Sequence, residues 1–284
     1  MAKVQILADT CCDLTSELKD QFGVATVPLY VVLGEKMYRD GVDVEPRMLY
    51  KYFEETQQTP KTSATTVGDY MDFFKPYVEA GKDIVYIGLS EKMSCTMANA
   101  RMAAEQFEDA KIFCVDSMNL STGIGLLVLH AADMAAEGAT AEEIVASLEE
   151  LRHRVRASFV LDTLEYLHRG GRCSLLAMMG ASLLSLHPEI AVTDGSMASR
   201  NKYRGKMVVA ARKYAANLAA NRENIEEKRV FVTYTKDTAP EIVDAVVEEV
   251  KAAGFETVLQ TTAGSVISSH CGKNCIGFLF VEKK

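Results

Sequence analysis

"DIVYIGLSEKMSCTMANARMAAEQFEDAKIFCVDS", residues 83–117, decides the fold. Its first part, "DIVYIGLS", has the length and β-branched content of a buried strand. "SCTMANARMAAEQF" reads as a helix, and "AKIFCVDS" as a second strand. Strands alternating with helices of ten or more residues imply a parallel sheet covered on both faces. The alternation extends both ways. Upstream, "KVQILAD" is a strand. "LTSELKDQFG" is a helix with Thr15 as N-cap and Gly23 as stop. "VATVPLYVVLG" is β-rich, and Pro28 confines it to an edge or a bend. "TVGDYMDFFKPYVEAG" is an amphipathic helix. Downstream, "STGIGLLVLHAADMAAEG" is a helix, and "TAEEIVASLEELRHRV" opens on a capping box from Thr140 to Glu143.

After residue 157 the pattern changes. "ASFVLDT" is a strand, "LEYLHRGGR" a short helix, and "LLAMMGASLLSL" an apolar helix. "PEIAVTDGSMASRNKYRG" is a hairpin turning at Asp194-Gly195. A helix (206–221), the strand "KRVFVTYT", a helix (239–253) and the strands "FETVLQTT" and "CIGFLFVE" complete the chain. "SSHCGKNC" lies between the last two strands. The expected architecture is α/β in two domains: residues 1–157 with a parallel sheet and residues 158–284 of α+β type. Neither a linker nor a repeat separates them, so close packing is expected.

The chain has 284 residues, 48% apolar and 25% charged, which suits a packed globular protein. A net charge of −8 argues against sequence-independent nucleic-acid binding, which neutralises phosphates with Lys and Arg. Seven scattered cysteines do not form the disulfide framework of a small secreted domain. "MAKVQILADT" lacks the apolar core of a signal peptide. The apolar stretch "GIGLLVLHAADMAA" is interrupted by His130 and Asp133 and is too short to span a bilayer. A cytoplasmic, soluble, reduced protein is expected.

Ligands of open α/β sheets bind beyond the carboxyl ends of the strands. The polar clusters at such places share hydroxyls, glycines, one His and a few Arg. Ser94 and Thr96 fall at a helix N-terminus, where free N–H groups either accept a side-chain cap or favour an anion. Thr62, Ser63, Thr65 and Thr66 fall at another helix start. "RGGR" presents Arg169 and Arg172 at a turn. One Arg suffices to complement the helix end, which leaves the other for an anion. Asp9, Asp13 and Asp116 follow strands. They either hold loops or serve a metal-dependent phosphotransferase or hydrolase. Cys271, Cys275 and His270 raise a metal or thiol reading, but three ligands without a fourth do not make a structural zinc site. No metal-binding or Walker motif is present.

In this order the motifs "ILADTCCDL", "PKTSATTVGDY", "SEKMSCTMANA", "VDSMNLSTGIG", "LDTLEYLHRGGRCS" and "GSVISSHCGKNCIG" resemble the DegV family of bacterial fatty-acid-binding proteins. The resemblance covers essentially the whole chain, and "TLEYLHRGGR" is its most specific block. It implies a two-domain DegV/EDD-type fold with a fatty acid, such as palmitate, in an apolar tunnel between the domains. Carried over by position, Thr62, Ser63, Ser94, Arg172, His270 and Gly272 hold the carboxylate. Leu175, Leu176, Met178, Met179, Leu183 and Leu184 line the tail. Arg204 matches a basic position implicated in partner contact. The implied role is non-catalytic, without cofactor or metal: presenting the fatty acid to a dihydroxyacetone-kinase-like fatty acid kinase for acyl phosphate formation. Ala64, Thr65, Lys92, Cys95, Lys273 and Asn274 depart from the family pattern.

Overall fold

The computed structural model describes residues 3–172, 186–226, 228–255 and 257–284. Strands β1 (Val4–Asp9), β2 (Ala25–Val27), β6 (Asp83–Gly88) and β7 (Ile112–Asp116) form a parallel sheet in the order β2-β1-β6-β7. Its strands are apolar on both sides because both faces are covered. Leu7, Ile84 and Tyr86 pack with Tyr70 and Phe74 of α3 (Val67–Glu79) and Met97 of α4 (Thr96–Ala104). Ile6, Ala8, Val85 and Ile87 point to the other face, toward α5 (Thr122–Ala136). The sequence signals at these helices hold. Thr15 caps α1 (Ser16–Phe22), and Gly23 ends it in the left-handed region. Thr140 and Glu143 close a capping box on α6 (Ala141–Leu151).

A second, six-stranded mixed sheet comprises β8 (Val155–Val160), β9 (Leu186–Thr193), β10 (Ser196–Arg204), β11 (Val230–Tyr234), β12 (Val258–Thr262) and β13 (Ile276–Val281). Its order is β10-β9-β8-β13-β11-β12. The domain division expected at residue 157 falls inside β8. Helices α8 (Met207–Ala219) and α9 (Pro240–Ala252) pack on this sheet around Tyr214 and Phe278. The other face of the sheet shares one apolar cluster with the parallel sheet. Phe159 and Leu279 belong to the same cluster as Ile6 and Ile87. The bridge is α5, which touches β1 and β6 on one side and β8 and β13 on the other. A helix apolar all round is buried on all sides, and this one has ten buried residues.

The β9–β10 hairpin turns at Asp194 (φ 46°) and Gly195 (φ 75°), as a type I′ turn requires. Its tip docks on the parallel-sheet half. Ser90 Oγ donates to Gly195 O at 2.7 Å, and a Cβ on Gly195 would come within 2.6 Å of that oxygen. A third, antiparallel sheet consists of β3 (Tyr30–Leu33), β4 (Lys36–Arg39) and β5 (Lys61–Ser63), ordered β4-β3-β5. β4 and α2 (Pro46–Thr56) have no counterpart in the sequence reading.

Two local expectations are corrected. Thr62 and Ser63 lie on β5, not at a helix start; Thr66 alone caps α3, and Thr65 Oγ1 donates to Pro28 O. "SSHCGKNC" is not wholly a loop. Ser265–Cys271 form helix α10, which stops at Gly272. The helix is held from outside: its own N-cap residue, Gly264, has no side chain with which to cap it.

Candidate functional site

The wall of one cavity, about 60 Å³ in volume, draws on the third sheet, the β6–α4 loop, the segment after α7 (Glu165–Gly170) and α10. Thr62, Ser63, Ser94, Arg172 and His270 stand on its wall together. The remainder is apolar and includes Leu29, Leu89, Met93, Leu120, Leu167, Met197, Val266 and Ile267. A smaller cavity, about 30 Å³, adjoins it across Leu120, Ile267 and Cys271 and continues toward Phe159, Leu279 and Gly277. On the opposite side Thr62, Arg172 and His270 also border an open cleft with Lys61, His168 and Arg169. The polar groups therefore stand between open solvent and an apolar interior.

His270 organises the polar end. Its Nε2 lies 3.0 Å from Thr62 Oγ1. Its Nδ1 is buried without a hydrogen-bond partner. Desolvation, aided by the nearby Arg172 charge, pushes the ring down to about 4, so it is neutral at pH 7. A buried N–H without an acceptor is costly, so the proton belongs on Nε2, donating to Thr62. The Thr62 hydroxyl is then free to donate outward. Gly170 presses against the orphan nitrogen: a Cβ there would lie 2.5 Å from His270 Nδ1. The first glycine of "RGGR" is thus set by the histidine 100 positions later.

The two arginines of that block divide their roles. Arg169 pairs with Glu165 at 2.7 Å, donates to Gln57 O and lies over the Phe53 ring. Arg172 donates to Gly170 O and is exposed at the cavity mouth. Ser94 precedes α4, and its Oγ accepts the Thr96 N–H at 3.3 Å, which leaves the hydroxyl proton available. Gly272 stands apart. Its N–H closes α10 on Ser268 O at 2.9 Å, and a Cβ there would lie 2.5 Å from the Tyr166 ring. It joins α10 to α7 rather than facing the cavity. Arg204 is exposed at the end of β10. Leu175, Leu176, Met178, Met179, Leu183 and Leu184 lie outside the described residues.

The aspartates are occupied with backbone and hydroxyl groups, except that Asp9 Oδ1 is buried with no partner among the described residues. Asp9 accepts the Leu89 N–H at 2.7 Å and the Tyr86 hydroxyl at 3.3 Å. Asp13 accepts the Gly264 N–H at 2.8 Å and the Ser121 hydroxyl. Asp116 accepts the Met118 and Glu91 N–H groups. Burial pushes Asp9 up to about 7 and Asp13 up to about 8. Asp40, which had no place in the sequence reading, lies 1% exposed and is also raised by desolvation. Among the described residues no group of three or more His, Cys, Asp or Glu is placed to hold a metal ion. No described helix is long and apolar enough to cross a membrane.

Residues 3–283 match the model of the DegV family, described as uncharacterised proteins. A DegV domain-containing protein from Caldanaerobacter subterraneus subsp. tengcongensis is 31% identical over 287 residues, covering 100% of each chain. A DegV family protein from Thermus thermophilus, described for its fatty acid binding, has a TM-score of 0.89 at 30% identity, over 99% of this chain and 100% of its own. A stearic acid-binding protein from Eubacterium ventriosum has a TM-score of 0.84 at 28% identity, over 100% of this chain and 99% of its own.

Proposed function

The chain belongs to the DegV family, and we propose that it binds one long-chain fatty acid as a non-catalytic carrier. The carboxylate is held by the hydroxyls of Thr62, Ser63 and Ser94 with Arg172, and His270 orients Thr62. The observation that carries this reading is the polarity of the cavity: hydroxyl donors and a cation at the open end, apolar walls beyond. A carboxylate leaving water needs several donors, because an unpaired buried charge is costly. The tail follows the second cavity past Leu120, Ile267 and Cys271 toward Phe159 and Leu279. Each buried methylene contributes about 0.8 kcal/mol. The two cavities are narrower than the tail, so side chains on their walls must move to admit it. Met93 and Met197 are flexible enough to do so.

The lipid would sit between a domain of residues 1–157 and one of residues 158–284. The carboxylate end faces the open cleft, where a dihydroxyacetone-kinase-like fatty acid kinase would reach it and form the acyl phosphate. Arg204 is the candidate contact for that partner. A cytoplasmic location fits such a partner.

Native mass spectrometry of the protein purified from bacterial cells tests the binding reading. A bound fatty-acyl mass near one per chain is expected. A lipid-free protein that also fails to take up added stearate would overturn it. The kinase role is tested by incubating the loaded protein with ATP and a purified kinase of that class, with acyl phosphate as the expected product.

A further inference from the structure

Helix α10 is seven residues long and carries His270 near its C-terminal end. Isolated helices of this length do not hold in water. Its first N–H groups lack intrahelical partners, and Gly264 supplies no capping side chain. Two aspartates from the parallel-sheet half take that place. Asp13 Oδ1 accepts the Gly264 N–H at 2.8 Å, and Asp40 Oδ1 accepts the Ser265 N–H at 2.7 Å. Each carboxyl group is itself fixed at its second oxygen, Asp13 against the Ser121 hydroxyl and Asp40 against the Thr10 hydroxyl at 2.9 Å. Neither is exposed by more than 6%. Gly264 fits because it has no side chain: a Cβ there would lie 3.3 Å from Asp13 Oδ1 and 3.2 Å from Asp40 Oδ2.

We propose that Asp13 and Asp40 are positioning residues, a two-carboxylate clasp that sets the placement of α10 and through it the His270–Thr62 contact at the cavity mouth. The inference rests on the fatty-acid reading of that cavity. Seven residues at 1.5 Å each make the helix about 10 Å long, so the clasp and the histidine are at opposite ends of one rigid rod. The clasp reaches no ligand. It acts by fixing where Nε2 meets Thr62 Oγ1 and where Nδ1 meets Gly170.

The test compares Asp40→Ala, Asp40→Asn, Gly264→Ala and His270→Ala in stearate affinity and in the ¹⁵N resonances of the His270 ring. Asp40→Ala is expected to weaken stearate at least tenfold and to shift the ring resonances. Asp40→Asn keeps an acceptor for the Ser265 N–H and is expected to restore affinity to within about threefold. Gly264→Ala keeps both carboxyl groups but crowds them at 3.2–3.3 Å, so they and α10 must shift by a few tenths of an ångström, and it is expected to weaken stearate with the same ring shift. It decides the matter if Asp40→Ala does not fold. Wild-type affinity and unchanged ring resonances in a folded Asp40→Ala or in Gly264→Ala, while His270→Ala loses affinity, would overturn the clasp and leave the binding site standing. If His270→Ala also keeps full affinity, the head-group assignment itself fails, and the clasp with it.

Discussion

The two ends of α10 carry two polar clusters with opposite degrees of saturation. At the N-terminal end every partner is present: Asp13 and Asp40 each accept from a helix N–H and from a hydroxyl. At the C-terminal end groups are left over among the described residues: His270 Nδ1 has no partner, and the Ser94 hydroxyl accepts the Thr96 N–H but donates to no described group. Both ends are rich in polar side chains, and counting such residues does not tell them apart. Their internal satisfaction does. A saturated cluster holds the fold, and an unsaturated one at a cavity wall is available to a ligand.

The largest effect on folding should come from the saturated end. Asp40→Ala strands the buried Ser265 N–H and takes the acceptor from the Thr10 hydroxyl. Each such loss costs about 1–3 kcal/mol, so urea unfolding should show a loss of about 2–4 kcal/mol. A loss below about 0.5 kcal/mol would remove the distinction between the ends. Gly170→Ala is next. Its Cβ would come 2.5 Å from His270 Nδ1, and overpacking of this kind typically costs about 1–3 kcal/mol. Fatty-acid affinity should fall with stability, as isothermal titration would show.

The buried acids should govern pH dependence. Asp9 and Asp13, raised to about 7 and about 8, stay protonated in the folded protein where the unfolded chain has lost those protons. Their contribution is fully present below pH 3.8 and falls as pH rises to about 7 and 8. His270, lowered to about 4, acts with the opposite sign. Between pH 6.5 and about 4 the unfolded chain binds the proton and the folded one does not, so its contribution falls as pH falls. With Asp40 raised in the same direction, and His130 lowered like His270, the acids should leave stability declining as pH rises from about 6.5 to 8, where the histidines are neutral in both states. The slope per group is at most about 1.4 kcal/mol per pH unit. Asp13→Asn should flatten the profile in urea titrations at pH 5, 7 and 8. An unchanged slope would contradict the raised carboxyl.

The smallest effect on folding belongs to the open end. Ser63 is exposed on β5, and its side chain makes no hydrogen bond among the described residues. Ser63→Ala should change unfolding by less than about 0.5 kcal/mol. Its fatty-acid affinity should still drop about tenfold or more, the worth of one hydrogen bond to a charged group, about 1.5 kcal/mol or more.

The same contrast explains what the sequence reveals. The parallel sheet is legible because its strands and helices carry their signals locally, in the apolar run before Gly88 and the Thr15 and Thr140 caps, and so is the β9–β10 hairpin of the mixed sheet, through the Asp194-Gly195 turn. Helix α10 is not, because its stabilising partners, Asp13 and Asp40, lie 251 and 225 positions away. Its Ser-rich, β-branched sequence has weak helix propensity. Gly272 after His270 is a stop signal, but a stop without a visible start does not define a helix. Thr62, Ser63, Ser94, Arg172 and His270 are legible as a set through resemblance to a family. Each taken alone is equally a cap or a turn residue. The reason for Gly170 lies across the fold in His270, and no local pattern encodes it.

The most direct measurement is stearate affinity of Ser94→Ala combined with His270→Ala, set beside its unfolding free energy. Affinity should fall at least tenfold while the protein stays folded, since about 1.5–3 kcal/mol is lost with the Ser94 hydrogen bond to the charge, and loss of His270 leaves Thr62 unoriented as well. Unchanged affinity in a folded double variant would contradict the account.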